Sequence, residues 1–69
     1  MPVPIPARLS DEGRTATWNP AMTFASHVLV RVRLPNGHVE DRRSMNSGRA
    51  RVRGEETIEA ILAGDVPSP

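Results

Sequence analysis

The strongest constraint on the fold is an alternating run at residues 26–34, followed by a sequence typical of a tight turn. Apolar residues at every second position have the period of a strand with one buried face, and they are Val28, Val30, Val32 and Leu34. The next residues include Asn36-Gly37, a pair that favours a type I′ hairpin turn because both central residues need positive φ. We therefore predict a hairpin whose second strand covers residues 38–43.

The register of this hairpin follows from the length of its loop. A two-residue loop places Arg33 opposite Glu40, which is a favourable cross-strand pair. The same register places Arg31 opposite Arg42, and like charges directly opposite each other are destabilising. The sequence therefore predicts either an external anion between these two side chains or a shifted register.

Two further strands are predicted, at residues 14–18 and 49–53, with a turn at Asn19-Pro20 and a loop at 44–48. In the second of these strands arginine alternates with Ala50 and Val52. Its three guanidinium groups should therefore share one face of the same sheet, and its apolar side chains the other.

Residues 55–63 are predicted to form a helix that packs on the sheet. Acidic side chains occupy its first turn, where the helix dipole favours negative charge. An apolar stripe has i, i+3, i+4 spacing, formed by Ile58, Ile61 and Leu62. Gly64 is expected to end the helix in a left-handed conformation, with Val66 in contact and Pro67 preventing continuation.

The predicted fold class is α+β, an antiparallel meander of three or four strands with a C-terminal helix. A small SH3-like barrel closed by the first strand is the alternative. We assign residues 1–13 to a proline-rich extended segment, 14–66 to a single domain and 67–69 to a tail. A chain of 69 residues without cysteine hides only about 60% of its unfolded surface and has no disulfide or thiolate zinc site.

The distribution of charge is more informative than its total. The net charge is +1, and the pI of about 9.1 reflects a lack of Lys, Tyr and Cys, which leaves little to titrate above neutral pH. Residues 31–53 carry seven Arg against two acids, a net +5, and residues 54–69 carry four acids. The chain is therefore polarised into a basic and an acidic segment.

The arginines of the basic segment are the main candidate binding residues. They should collect on one sheet face, against nucleic acid or an acidic macromolecular surface, and they are Arg31, Arg33, Arg42, Arg43, Arg49, Arg51 and Arg53. No aromatic residue lies between them, so stacking on bases is not expected. A solvated face whose arginines pair with Glu40, Asp41 and the acidic segment is the competing interpretation.

A protein partner is the second candidate, through the residues around the only two aromatics. Trp18 and Phe24 are expected to be core anchors, but exposed beside Met22 they would form an adhesive patch. Unpaired strand edges would add contacts, including self-association into a homo-oligomer. In this alternative the chain is an adaptor, an inhibitor or a small structural subunit of a larger phage- or operon-encoded assembly.

Catalysis and cofactors are not expected. The sequence has no G-x-S-x-G turn and no glycine-rich phosphate loop, and His38 with Glu40 and His27 makes too loose a set for a structural metal site. No apolar run is long enough to cross a membrane as a helix. We expect a cytoplasmic protein, and its use of Arg without Lys is typical of a GC-rich bacterium or phage.

Overall fold

The computed structural model describes residues 3–63 and shows an all-β fold of antiparallel strands in two sheets. The strands are β1 (Val3–Ile5), β2 (Ala7–Ser10), β3 (Thr15–Trp18), β4 (His27–Arg33), β5 (Val39–Met45), β6 (Arg49–Arg51) and β7 (Thr57–Ala63). One sheet has the strand order β1-β7-β4-β5 and the other β2-β3-β6. Helical structure within residues 3–63 is limited to short 3₁₀ turns at Asp11–Gly13 and Pro20–Met22.

The predicted C-terminal helix, and with it the α+β fold class, is wrong. Residues 57–63 form β7, which is hydrogen-bonded between β1 and β4. A β-bulge explains the misleading apolar spacing, because Arg31 lies opposite Ala60 while Val32 lies opposite Ile58, so Glu59 is an extra residue. The bulge places Ile58 and Ile61 on the same buried face although they are three residues apart.

β-branched residues and weak local helix stability explain why the strand forms instead. Thr57, Ile58 and Ile61 favour strands, and a nine-residue helix is marginal without tertiary contacts. The predicted helix end at Gly64, Val66 and Pro67 lies outside the described residues.

The hairpin is confirmed, but its register differs by one residue from the predicted one. The Leu34 N–H donates to the His38 carbonyl at 2.8 Å and the Gly37 N–H donates to the Leu34 carbonyl at 2.9 Å. The loop therefore has three residues, and Gly37 occupies its left-handed position with φ +89°. As a result Arg31 lies opposite Asp41, and the unfavourable Arg31–Arg42 pair is avoided.

The proline-rich N-terminal segment is extended and contributes one strand to each sheet. Ile5 of β1 lies opposite Ile61 of β7 and is buried in the core. After Pro6 the chain enters β2, which pairs with β3 in the other sheet. Both strands are at sheet edges, where proline is tolerated because no ladder partner needs its missing N–H.

The core lies between the two sheets. Its buried side chains come from both, and they are Ile5, Ala16, Trp18, Val28, Val30, Val32, Val52, Ile58 and Ile61. The predicted inward face of β4 is confirmed. The alternative prediction, an SH3-like barrel, has the all-β class in common with this fold. It differs in architecture, because the strands of residues 3–63 form two separate hydrogen-bonded sheets.

Candidate binding surface

The predicted arginines do not share one face. The prediction that residues 49–53 join the hairpin's sheet is wrong, because β6 pairs with β3 in the other sheet. Gly48, with φ +90°, turns the chain, and its carbonyl accepts a hydrogen bond of 3.0 Å from the Trp18 N–H. Arg31, Arg33 and Arg43 therefore lie on the outer face of the four-stranded sheet, as the alternation with buried Val28, Val30 and Val32 requires.

Arg31 is neutralised by the residue opposite it. Its Nε lies 2.9 Å from Asp41 Oδ1 and its Nη2 lies 3.2 Å from Asp41 Oδ2. This hydrogen bonding holds the pKa of the Asp41 carboxyl below its usual value. Arg33 is paired as well, with its Nε 2.6 Å from Oε2 of the bulge residue Glu59.

Arg42 is held by two carboxylates on the inner side of β5. Its Nη1 and Nη2 donate to the two oxygens of Glu56 at 3.0 and 2.7 Å, and its Nε donates to Glu40. The bidentate bond lowers the pKa of Glu56, and the two acids together raise the pKa of Arg42. Part of the acidic segment therefore neutralises part of the basic one, as the solvated-face interpretation requires.

The outer side of the three-stranded sheet carries a second group of basic residues. Arg8 of β2 lies opposite Thr17 of β3, and Thr17 lies opposite Arg49 of β6. Strands are about 4.8 Å apart, so Arg8 and Arg49 are separated by roughly 10 Å across the row. Arg51 is opposite Thr15 in the next row. Arg53 lies two residues beyond the end of β6 and lines the same surface pocket as Arg51. We call this surface the basic face and define it as Arg8, Arg49, Arg51 and Arg53.

The basic face is available for binding because little of it is neutralised. Arg8, Arg49 and Arg53 have no side-chain ion pair within residues 3–63, and all three are exposed. Arg51 has only a 3.8 Å contact with Asp11 Oδ2. The predicted alternation of residues 49–53 is confirmed, since Ala50 is half-buried and Val52 is buried.

Arg8 was not among the residues predicted from the sequence. Its strand is short and interrupted by proline, and the pairing of residues 7–10 with 15–18 was not predicted. The available signal was Ser10-Asp11-Glu12-Gly13, a polar sequence typical of a turn. Because this turn joins two antiparallel strands, it brings Arg8 beside β3.

A cleft of about 320 Å³ separates the inner side of β5 from β6. Val30, Val32 and Val52 provide apolar lining, and Arg42, Arg49 and Arg51 are among its basic lining residues. Arg43 also lines the cleft, although its side chain lies on the outer face, where its Nη2 is 3.4 Å from His27 Nδ1. Arg42 is already neutralised by Glu40 and Glu56, and the other arginines direct their side chains to outer faces. The cleft therefore contributes apolar surface beside the basic face.

The three candidate residues for a protein partner have different environments. Trp18 is 7% exposed and belongs to the core, so its ring is not on the surface. Phe24 is 107% exposed, and the prediction that it anchors the core is wrong. It lies in the loop that joins β3 of one sheet to β4 of the other, and none of residues 19–26 is buried. Met22 in the same loop is 56% exposed.

Within residues 3–63 no group of three or more His, Cys, Asp and Glu side chains is placed to hold a metal ion. No helix in the same part of the chain is long and apolar enough to span a membrane. Comparison with protein-family models, with curated proteins and with solved structures finds no match.

Proposed function

We propose that the protein is a non-catalytic binding module whose basic face binds an acidic segment of a partner protein. The observation that carries this proposal is the contrast between two sets of arginines. Arg31, Arg33 and Arg42 are neutralised by acids of the same chain, whereas Arg8, Arg49 and Arg53 have no acidic partner among residues 3–63. Unneutralised guanidinium groups grouped on one exposed sheet face are a site for carboxylates or phosphates.

The neighbouring cleft favours a protein over a nucleic acid as the partner. Half-buried Ala50 and the small exposed parts of Val30 and Val52 form its floor and match apolar side chains, which a phosphate backbone does not offer. The basic face also has no aromatic residue for base stacking, and the net charge of +1 provides little long-range attraction to a polyanion. Nucleic acid is therefore the competing ligand in the experiment below. A cytoplasmic location stays a prediction from the sequence.

The experiment measures binding of a fluorescent oligoglutamate peptide, a DNA duplex and a single-stranded RNA by anisotropy. The variant R49A/R53A removes two unneutralised arginines. Its matched control R31A/R33A removes two arginines that are already paired with acids of the same chain. Each variant loses two positive charges, so the two variants have the same net charge. We expect R49A/R53A to weaken peptide binding about fivefold, which corresponds to about 0.5 kcal/mol for each of two exposed charge contacts. We expect the control to change peptide binding less than twofold.

Three results would overturn the proposal. One is no peptide binding at low salt, and another is equal loss in the two variants. The third is binding of DNA or RNA through Arg49 and Arg53 without binding of the peptide, with the steep fall between about 50 and 200 mM salt that is typical of phosphate contacts. That last result would establish the nucleic-acid alternative.

The exposure of Phe24 favours a second candidate function, an adaptor that inserts this ring into an apolar pocket of a partner. Met22 beside it is also exposed, and residues 15–30 contain no charged side chain. Aromatic anchors surrounded by uncharged surface are typical of binding hot spots. Loss of a partner on Phe24→Ser substitution, with R49A/R53A binding it normally, would establish this function instead.

A further inference from the structure

We propose that the free edge of β6 accepts the partner's segment as an additional β-strand, and that acidic and apolar residues alternate along that segment. This inference rests on the proposed function, since it specifies how the basic face binds its acidic partner. β6 is an edge strand of the β2-β3-β6 sheet. Its outward backbone groups, its side chains and the cleft beside it each point to the same ligand.

The backbone of β6 has groups directed away from its partner β3. The Trp18 N–H donates to the Gly48 carbonyl at 3.0 Å, and the Val52 N–H donates to the Arg14 carbonyl at 2.9 Å. Hydrogen bonding alternates along an antiparallel pair, so even-numbered residues bond to β3 and Arg51 does not. The N–H and C=O of Arg51 therefore point to the open edge, where an added strand would pair with them. The outward carbonyls on either side already accept hydrogen bonds, that of Arg49 from Ser47 Oγ at 3.2 Å and that of Arg53 from the Glu56 N–H at 3.1 Å, so the backbone pairing is centred on Arg51.

The side chains of β6 determine which strand fits. A residue opposite Arg49, Arg51 or Arg53 would place its side chain on the basic face, where an acidic residue forms a cross-strand charge pair. Residues opposite Ala50 and Val52 would point to the inner side, toward the apolar floor of the cleft. The complementary sequence therefore alternates acidic, apolar, acidic, apolar, acidic.

Charge also determines what this edge rejects. Exposed charged residues on a short edge strand prevent edge-to-edge association. A second copy of β6 paired antiparallel around Arg51 would place arginines opposite arginines, which is destabilising. An acidic segment converts the same residues into attractive pairs, so the edge selects a heterologous partner over another copy of the chain.

The experiment uses two capped five-residue peptides of equal composition. The first is Glu-Val-Glu-Val-Glu and the second is Glu-Glu-Glu-Val-Val. We expect the alternating peptide to bind the full chain about tenfold more tightly, and R49A/R53A to weaken it more than R31A/R33A does. Equal affinities with both peptides bound would overturn the strand-addition inference but retain the proposed function. If neither peptide binds, the strand-addition inference is overturned, and the oligoglutamate measurement decides the proposed function separately.

Backbone pairing is tested by N-methylation of the alternating peptide. Methylation of the central Glu removes the N–H that would pair with Arg51, whereas methylation of a Val removes an N–H that points away from β6. We expect at least a tenfold loss from the first change and less than a twofold change from the second. Equal effects of the two methylations would contradict strand addition.

The protein side of the same hydrogen bond is tested with R51P and R51A. Both variants lose the guanidinium group, but only proline lacks the outward N–H, and proline is tolerated on an edge strand when its nitrogen faces solvent. We expect R51P to bind the alternating peptide more weakly than R51A. Equal binding by two folded variants would overturn the inference, and the methylated peptides give the same decision with the unmodified chain if R51P does not fold.

Discussion

The indole Nε1 of Trp18 donates a hydrogen bond to Oδ1 of Asn46 at 2.7 Å and so connects the core to the start of the β5–β6 loop. The Nδ2 of the same Asn46 amide donates to the carbonyls of Pro20 and Ala25 at 2.9 and 3.1 Å. Its backbone N–H donates to the Ser26 carbonyl at 2.9 Å. One asparagine therefore fixes both ends of the loop that presents Phe24.

We predict that Asn46→Ala lowers the free energy of unfolding by about 2–4 kcal/mol. The substitution leaves the Trp18 Nε1 and the Ala25 carbonyl without their partner in two part-buried bonds, and each unsatisfied buried group costs about 1–3 kcal/mol. The bond to the Pro20 carbonyl is exposed, so water replaces it at little cost. Urea titration followed by Trp18 fluorescence measures the change.

Two further variants serve as controls for this prediction. Asn46→Asp keeps an acceptor for Trp18 but removes the donor to Pro20 and Ala25, so we expect an intermediate loss. Asn36→Ala removes only an exposed hydrogen bond to the His38 N–H and should cost less than about 1 kcal/mol. Equal losses at positions 46 and 36 would show that the Asn46 contacts do not stabilise the loop.

The parts of the fold that were predicted correctly depend on local, regular patterns. The alternation of Val28, Val30 and Val32 and the Asn36-Gly37 turn were sufficient to predict β4 and the hairpin. The register was not, because Gly37 allows two loop lengths and only tertiary pairing distinguishes them. The sequence did contain one signal of the observed register. The predicted register places Arg31 opposite Arg42, and this unfavourable pairing indicates a shift.

The parts that were predicted wrongly depend on non-local pairing. Glu59 interrupts the period of β7, and a strand with a bulge has the same apolar spacing as a short helix. The basic face was only partly predicted for a related reason. Arg8 joins Arg49 only because β3 lies between their strands, and no pattern within either strand specifies that neighbour.

We predict that Gly48→Ala destabilises the protein more than Gly37→Ala does. Both glycines have positive φ, +90° and +89°, so both substitutions carry the left-handed penalty of about 1–2 kcal/mol. Only at Gly48 would the added methyl group lie 3.1 Å from Pro20 Cγ and from the Trp18 carbonyl oxygen.

The pair of variants separates steric contact from backbone strain. Gly37 has nothing within 4 Å of the added methyl group, so the difference in unfolding midpoint between the two variants reports the contact alone. We expect the Gly48 variant to have the lower midpoint in thermal unfolding. Identical midpoints would contradict the close approach of the β5–β6 loop to Pro20.

We predict that stability falls as the pH is lowered through the acid range, partly because of Asp41 and Glu56. Their arginine partners hold both pKa values below the usual 3.8 and 4.5. A carboxyl with a lowered folded-state pKa stabilises the fold above its unfolded pKa, and this contribution is lost as the pH falls through the folded value. Urea titrations at a series of pH values between about 6 and 2 measure the dependence.

The variants Asp41→Asn and Glu56→Gln should each flatten this pH dependence, because each removes one linked carboxyl. Glu55→Gln is the matched control, since Glu55 is exposed and has no ion pair within the part of the chain that is described. The prediction fails if the control flattens the curve as much as the other two variants.

We predict that Phe24→Ser changes the free energy of unfolding by no more than about 0.5 kcal/mol, as expected for a surface position. The ring is fully exposed, so its removal takes no contact from the core. The same variant should be retained less on a hydrophobic interaction column.

Trp18→Phe is the contrasting variant, because it removes the indole N–H that bonds to Asn46 and should destabilise the fold without changing the retention. A loss of several kcal/mol for Phe24→Ser would mean that the ring packs against the protein and that the adaptor function has no anchor.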